Sequence, residues 1–172
     1  MALFESIKYK IIEKNGQIEV RQYDDYFLAS TKTRINSSLD TGFNNVFQYI
    51  SGNNEGNQKI SMTTPVVTYE ENQELVTGFY VPSKYSKQNI PSPKDDNVFI
   101  NEVKKSYYVV IRFKGNWKPH IFDKYHQILL KHISDNHLVV KSPKMIMRYQ
   151  PPFIPGFLRR NEIAYQIEYT IK

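Results

Sequence analysis

The chain contains no cysteine. That excludes a disulfide framework, a thiolate nucleophile, and zinc or iron–sulfur centres held by cysteine. No stretch reaches the roughly 18 consecutive apolar residues of a membrane-spanning helix. The opening residues, MALFESIKYKIIEKNG, place Glu5, Lys8 and Lys10 where a secretory signal would need an unbroken apolar segment. Together these absences predict a cytoplasmic protein with no stable membrane insertion. There is no nucleophile elbow, HExxH helix, phosphate-binding glycine loop or dinucleotide fingerprint either. Histidine is sparse, and His120, His126, His132 and His137 are six, six and five residues apart. Six residues turn a helix by about 240°, so these side chains do not share a face as a zinc-binding pair does. His132, on the apolar side of its segment, reads as a core residue. With no catalytic constellation and no metal set, the expectation is a binding protein rather than an enzyme.

Aromatic residues, in contrast, are plentiful: 13 Tyr and 10 Phe in 172 residues. Rings with an apolar body and a polar tip suit either packed strands or the wall of a ligand site with a wet rim. Charge is uneven. Residues 1–100 hold 10 Lys and Arg against 12 Asp and Glu, and residues 101–172 hold 13 against 5, so the surplus of +6 lies in the second part. A basic half attracts anions or is simply a solvated surface. It carries no recognition motif for nucleic acid, and none is expected as a partner.

The periodicities describe two similar halves. In the first, strands at 9–13 and 18–20 flank Asn15-Gly16, a hairpin signal, and a strand at 26–34 turns Phe27, Ala29, Thr31 and Thr33 to one side. Ser37 and Ser38 can cap a helix, with Asp40 completing an acidic capping box from Ser37. Leu39, Phe43, Val46, Phe47 and Ile50 then form one stripe at helical period, and Gly52 is placed to end it. Strands follow at 59–69 and 75–81. Pro65 lacks an N–H and belongs at an edge or a bulge, so the sheet should open there, beside the helix.

A proline-rich loop at 82–96 marks the boundary between halves of about 1–90 and 91–172. The second half offers strands at 98–103 and 107–113, and a helix opened by Pro119 with Ile121, Tyr125, Ile128, Leu129 and His132 on one face. A strand at 145–149 and a closing strand, in which Ile163, Tyr165, Ile167, Tyr169 and Ile171 alternate with polar or small residues, complete it. Two halves of this kind build an α+β fold, a curved antiparallel sheet with two helices.

Two features lie outside this scaffold. The loop PPFIPGFL at 151–158 sets Phe153, Ile154, Phe157 and Leu158 between strands, where loops are ordinarily polar. It can plug the core, cover a ligand pocket, or touch a membrane or partner. Met62, Met145 and Met147 supply flexible thioethers that fill cores, line adaptable cavities and can ligate haem iron.

Three segments in order resemble the SOUL/haem-binding protein family: IEVRQYDDYFLAST at 18–31, NEGNQKISMTTPVV at 54–67, and RYQPPFIPGFLRRNEIAY at 148–165. The resemblance implies one domain over 1–172, a distorted antiparallel barrel-like sheet with two helices and two pseudo-symmetric halves, akin to the effector-binding domains of some bacterial regulators. It implies a haem or metal-free porphyrin ligand that need not survive purification, and a monomer with no other partner than that small hydrophobic ligand. In one branch of the family a histidine after the first-strand arginine ligates iron; here Gln22 follows Arg21, so a strong axial bond is not expected. Other members bind through the first helix and the closing loop. Carried over, that surface is Phe43, Phe47, Gln48, Met62, Phe153 and Ile154. Ile154 stands near a position that is basic in those members, leaving Arg159 or Arg160 to meet the propionates. Those arginines and Glu162 can equally form a structural ion-pair cluster.

Burying about 300 Å2 of apolar ligand supplies roughly 7 kcal/mol, and association consumes a substantial part of it; the expected affinity is near micromolar. The expected site is an apolar cleft between the first helix, the Met62 strand and the closing loop. Two alternatives keep that cleft: a sensing module for amphipathic or cationic small molecules, and a hydrolase using a Glu/Tyr pair.

Overall fold

In a computed structural model the described residues are 4–36 and 39–172. They form eleven strands, two α-helices and one 3-10 turn. Ser37, Ser38 and the proposed capping box with Asp40 lie outside what can be described. The chain divides into two compact units, residues 1–7 with 25–104, and residues 8–24 with 105–172. The division therefore falls elsewhere than the proline-rich loop, which belongs wholly to the first unit.

The first unit contains β1 (Glu5–Ser6), β4 (Tyr26–Arg34), α1 (Leu39–Ile50), β5 (Thr63–Thr64), β6 (Val66–Glu71), β7 (Glu74–Tyr80) and β8 (Val98–Val103). Four strands run in the order β6-β7-β4-β8, with every neighbouring pair antiparallel. The strand expected over 59–69 is interrupted at Pro65, and the short piece before it, β5, pairs in parallel with β1. Proline cannot donate to a ladder, so the break falls where the missing N–H would have been. The hairpin β6–β7 turns at Asn72 and Gln73, both with positive φ.

Helix α1 ends where Gly52 takes φ 122°, a conformation that side chains disfavour. Val46, Tyr49 and Ile50 bury against Ala29, Phe79 and Val81, at roughly 1.5–3 kcal/mol for each large side chain. The Tyr49 hydroxyl donates to the Pro91 carbonyl at 2.7 Å, tying the proline-rich loop to the helix. Asn54, fully buried, donates to the carbonyls of Tyr49 and Gln58 and accepts from the Gln58 amide, which fixes the turn after the helix. The middle of β4 is buried on both faces: Leu28 and Ser30 are as enclosed as Ala29 and Thr31.

The second unit contains β2 (Tyr9–Asn15), β3 (Ile18–Tyr23), β9 (Ser106–Lys114), α2 (Pro119–Asp135), β10 (Met145–Arg148) and β11 (Arg160–Ile167), with the 3-10 turn Gly156–Leu158 between the last two. The strand order is β2-β3-β9-β11-β10, again antiparallel between neighbours. Val109, Ile111 and Phe113 on β9 and Ile163 on β11 meet Phe122, Leu129 and Ile133 of α2. The buried helix face is thus centred one residue from the stripe read in the sequence. Ile128 is exposed and His132 is only half-buried. The closing strand stops at Ile167, and Ile171 is exposed.

The two units share one topology. In each, a strand leads into a helix and then into two strands of which the last pairs back on the first: β4-α1-β6-β7 and β9-α2-β10-β11. The strand on the far side of β4 is β8, and on the corresponding side of β9 is β3. Each of those strands directly precedes, in the chain, the first strand of the other unit. The expected pseudo-symmetric α+β arrangement is present, and the chain passes between the units at residues 24–25 and 104–105, just after β3 and β8.

Candidate functional site

At the margin of the packed face of α1 two phenylalanines form an aromatic platform. Phe43 and Phe47, one turn apart, stack at 5.8 Å between ring centroids with an interplanar angle of 13°. Phe43 leans on Phe79 at 5.2 Å and is half-buried, whereas Phe47 is 43% exposed. Gln48, next to it, is exposed, and Met62 is half-buried at the margin of the same core. Four sequence-predicted residues are therefore gathered in the first unit. The crevice under the helix, lined by Ala29, Tyr49, Ile60 and Phe79, has essentially no volume open to water. No void able to admit a ligand lies at this point, so the vacant crevice expected beside the first helix is not found there.

The other predicted residues belong to the second unit. In the closing loop Phe153 is 80% exposed, Phe157 73% and Leu158 48%, so they do not plug the core; Ile154 is half-buried. Arg159 donates from Nε to the Ile154 carbonyl at 2.8 Å and from Nη2 to the Pro152 carbonyl, with its guanidinium 4.4 Å from the Trp117 ring centre. Its charge caps the loop's own backbone.

Arg160 is engaged more deeply. It donates to Glu162 Oε2 at 2.9 Å and to the Tyr9 hydroxyl at 3.1 Å, and lies 3.8 Å over the Tyr149 ring. Glu162 is also held in a two-pronged pair by Arg21, at 2.8 and 2.7 Å, while Arg21 donates from Nε to Glu19 at 2.6 Å and from Nη1 to Tyr23 at 3.0 Å. Arg21 and Glu162 are fully buried. Burial opposes charge on both. For Glu162 the hydrogen bonds and charges of Arg21 and Arg160 outweigh it and hold the carboxyl below its ordinary pKa; for Arg21 the Glu162 and Tyr23 partners outweigh it and raise the pKa. Burial, with the nearby Glu162 charge, pushes the Tyr149 hydroxyl well above its usual value. Of the two readings open for Arg160 and Glu162, the geometry is that of a structural ion-pair cluster.

Sequence reasoning missed Glu19, Arg21 and Tyr23 as members. The available signal was that Glu19, Arg21 and Tyr23 alternate with Ile18 and Val20 on β3, a charged or phenolic face opposite in chemistry to the apolar one. The Gln22 amide donates to the Tyr107 hydroxyl at 3.0 Å and so is already committed to a protein partner. Met145 and Met147 are buried, opposite Ala164 and Glu162 in the ladder. His126 bonds the Tyr165 hydroxyl at 2.7 Å; burial and the Lys144 charge lower its pKa. Among the described residues no group of three His, Asp or Glu is placed to hold a metal ion, and no helix is long and apolar enough to cross a membrane. An open cleft of about 400 Å3 in this unit is lined by Glu13, Lys14, Ile18, His132 and Leu138 among others.

The paired helix-and-sheet fold recurs in solved structures of low sequence identity. The C-terminal domain of EcmrR matches 90% of this chain and 98% of its own with a TM-score of 0.67 and 12% identity. A hydrolase from Listeria innocua matches 91% and 94% with a TM-score of 0.62 and 6% identity. At such identities the likeness is one of fold alone. Sequence supplies the family: the profile described as SOUL heme-binding protein matches residues 4–166, and the chain belongs to that family. Heme-binding protein 2 of Homo sapiens is 31% identical over 110 residues, covering 58% of this chain and 53% of that protein. Its Mus musculus counterpart is 30% identical over the same share. The chain spans about half the length of these curated relatives.

Proposed function

We propose that the chain is a non-enzymatic binder of haem or metal-free porphyrin, and that the macrocycle lies on the aromatic platform of α1. The observation that carries this reading is the stacked pair Phe43–Phe47, with Phe47 exposed. A flat apolar ring system gains from offset stacking on such a pair beyond the area it buries, and family membership gives the ligand class its support. The donor set fits the ring better than the iron. The first unit contains no histidine, and Met62 offers a thioether as a soft donor within it.

The alternatives find less support. A cationic guest needs a carboxylate without a counter-charge, and Glu162 already has two arginines. For a hydrolase, Glu162 is fully buried, and a Glu/Tyr pair that substrate can reach, Tyr169 donating to Glu13 at 2.6 Å, belongs to the open cleft of the second unit and carries no third catalytic group that the sequence marks.

The test is a Soret-band titration with haemin and with protoporphyrin. Both bind with near-micromolar affinity, and Phe47→Ala weakens both at least about tenfold, the equivalent of about 1.4 kcal/mol. An unchanged affinity in Phe47→Ala removes the platform from the site. Binding of haemin alone replaces ring contact by iron ligation.

A further inference from the structure

The closing loop 151–158 presents apolar side chains that nothing in its own unit covers, and it is built unlike an ordinary solvent loop. Three of its eight residues, Pro151, Pro152 and Pro155, have no N–H to leave unsatisfied. Its carbonyls are met from within: Pro151 accepts from the Ile154 amide at 3.2 Å, Pro155 from Leu158 at 2.9 Å and Gly156 from Arg159 at 3.1 Å. Pro152 and Ile154 accept from the Arg159 guanidinium. With five of eight carbonyls met and three N–H groups absent, the loop gives up fewer bonds to water on entering an apolar medium than an ordinary irregular segment would.

The loop is also braced. A Cβ on Gly156 would stand 2.6 Å from the Asn116 Cβ, so the turn lies directly on the segment 114–118, and the Gly115 amide donates to the Arg159 carbonyl. That segment supplies the exposed Lys114 and Lys118 and the half-buried Trp117. Neither 114–118 nor 150–160 contains an Asp or Glu. Exposed rings at the tip, a tryptophan behind them and lysines around them are the composition of an interfacial anchor on an anionic bilayer, where apolar insertion and headgroup attraction act together.

We propose that loop 151–158 docks the protein reversibly on an anionic lipid surface, with Phe153, Phe157 and Leu158 entering the headgroup region and Lys114 and Lys118 meeting the phosphates. This does not rest on the porphyrin reading, which uses the first unit. Trp117 is the single tryptophan of the chain, so the anchor carries its own reporter.

The experiment is flotation of ligand-free protein with vesicles of phosphatidylcholine alone or with about 30 mol % phosphatidylserine at about 0.1 M salt, with brominated acyl chains to quench Trp117. The expected result is association with anionic vesicles, at least about tenfold weaker binding to neutral ones, and Trp117 quenching on binding. Phe157→Ser and Phe153→Ser each lower affinity at least about fivefold without changing the melting temperature. Lys114→Glu with Lys118→Glu removes the preference for anionic lipid. No association, association that survives loss of both phenylalanines, or association without quenching overturns the proposal. In the last two cases bulk charge or another surface is responsible.

Discussion

Glu162 shows how much one side chain can decide. It is fully buried and its two oxygens receive Arg21 and Arg160. Replacing it by Gln keeps the shape and removes the charge, leaving the Arg21 guanidinium buried without its main counter-ion. Loss of one partner from such a pair costs about 3–5 kcal/mol, and we expect Glu162→Gln to lose stability in that range by urea denaturation. The pH dependence has a definite sign. The folded pKa of Glu162 is depressed, so its contribution is complete above the unfolded carboxylate value of about 4.3 and disappears as pH falls from there through the folded value. Wild type should therefore lose stability on acidification below about pH 4 more steeply than Glu162→Gln; parallel curves would mean that the carboxylate is not ionised in the fold.

Among elements, the turn from α1 to β5 is held by a residue that no hydrophobic periodicity marks. Asn54 makes three hydrogen bonds with backbone groups, and Tyr49 and Gln58 lose their partners together in Asn54→Ala. At about 1 kcal/mol each, the variant should be about 2–4 kcal/mol less stable. Hydrogen exchange at the Gln58 amide should rise above the global unfolding rate, and unchanged protection there would mean that the turn holds itself.

The helix before that turn was legible because a 3.6-residue period and a terminating glycine are local signals. The face of α2 was read one position off because Tyr125 and Phe122 both suit an apolar stripe, and only the packed strands choose Phe122. The passage of the chain between units just after β3 and β8 left no trace in the sequence, since a two-residue connection ordinarily joins strands that pair with each other. The platform of Phe43 and Phe47 was visible as periodicity. Arg159 and Arg160 read as available cations because their partners, two carbonyls and Glu162, become neighbours only through the loop's path and the strand register.

At the scale of the whole molecule, any ligand that binds the folded chain and not the unfolded one stabilises all of it. At about a hundredfold excess over the dissociation constant the gain is about 2.7 kcal/mol, which for a chain of this length raises the melting temperature by about 5–10 °C. Because the platform is aromatic and its reading invokes ring contact rather than an iron bond, haemin and protoporphyrin should give equal shifts at equal occupancy, and Met62→Leu should preserve both. Phe47→Ala should reduce both together. A shift confined to the iron compound and abolished by Met62→Leu would instead make the thioether an axial ligand. The affinity would then come from a coordinate bond and not from the apolar area of the ring.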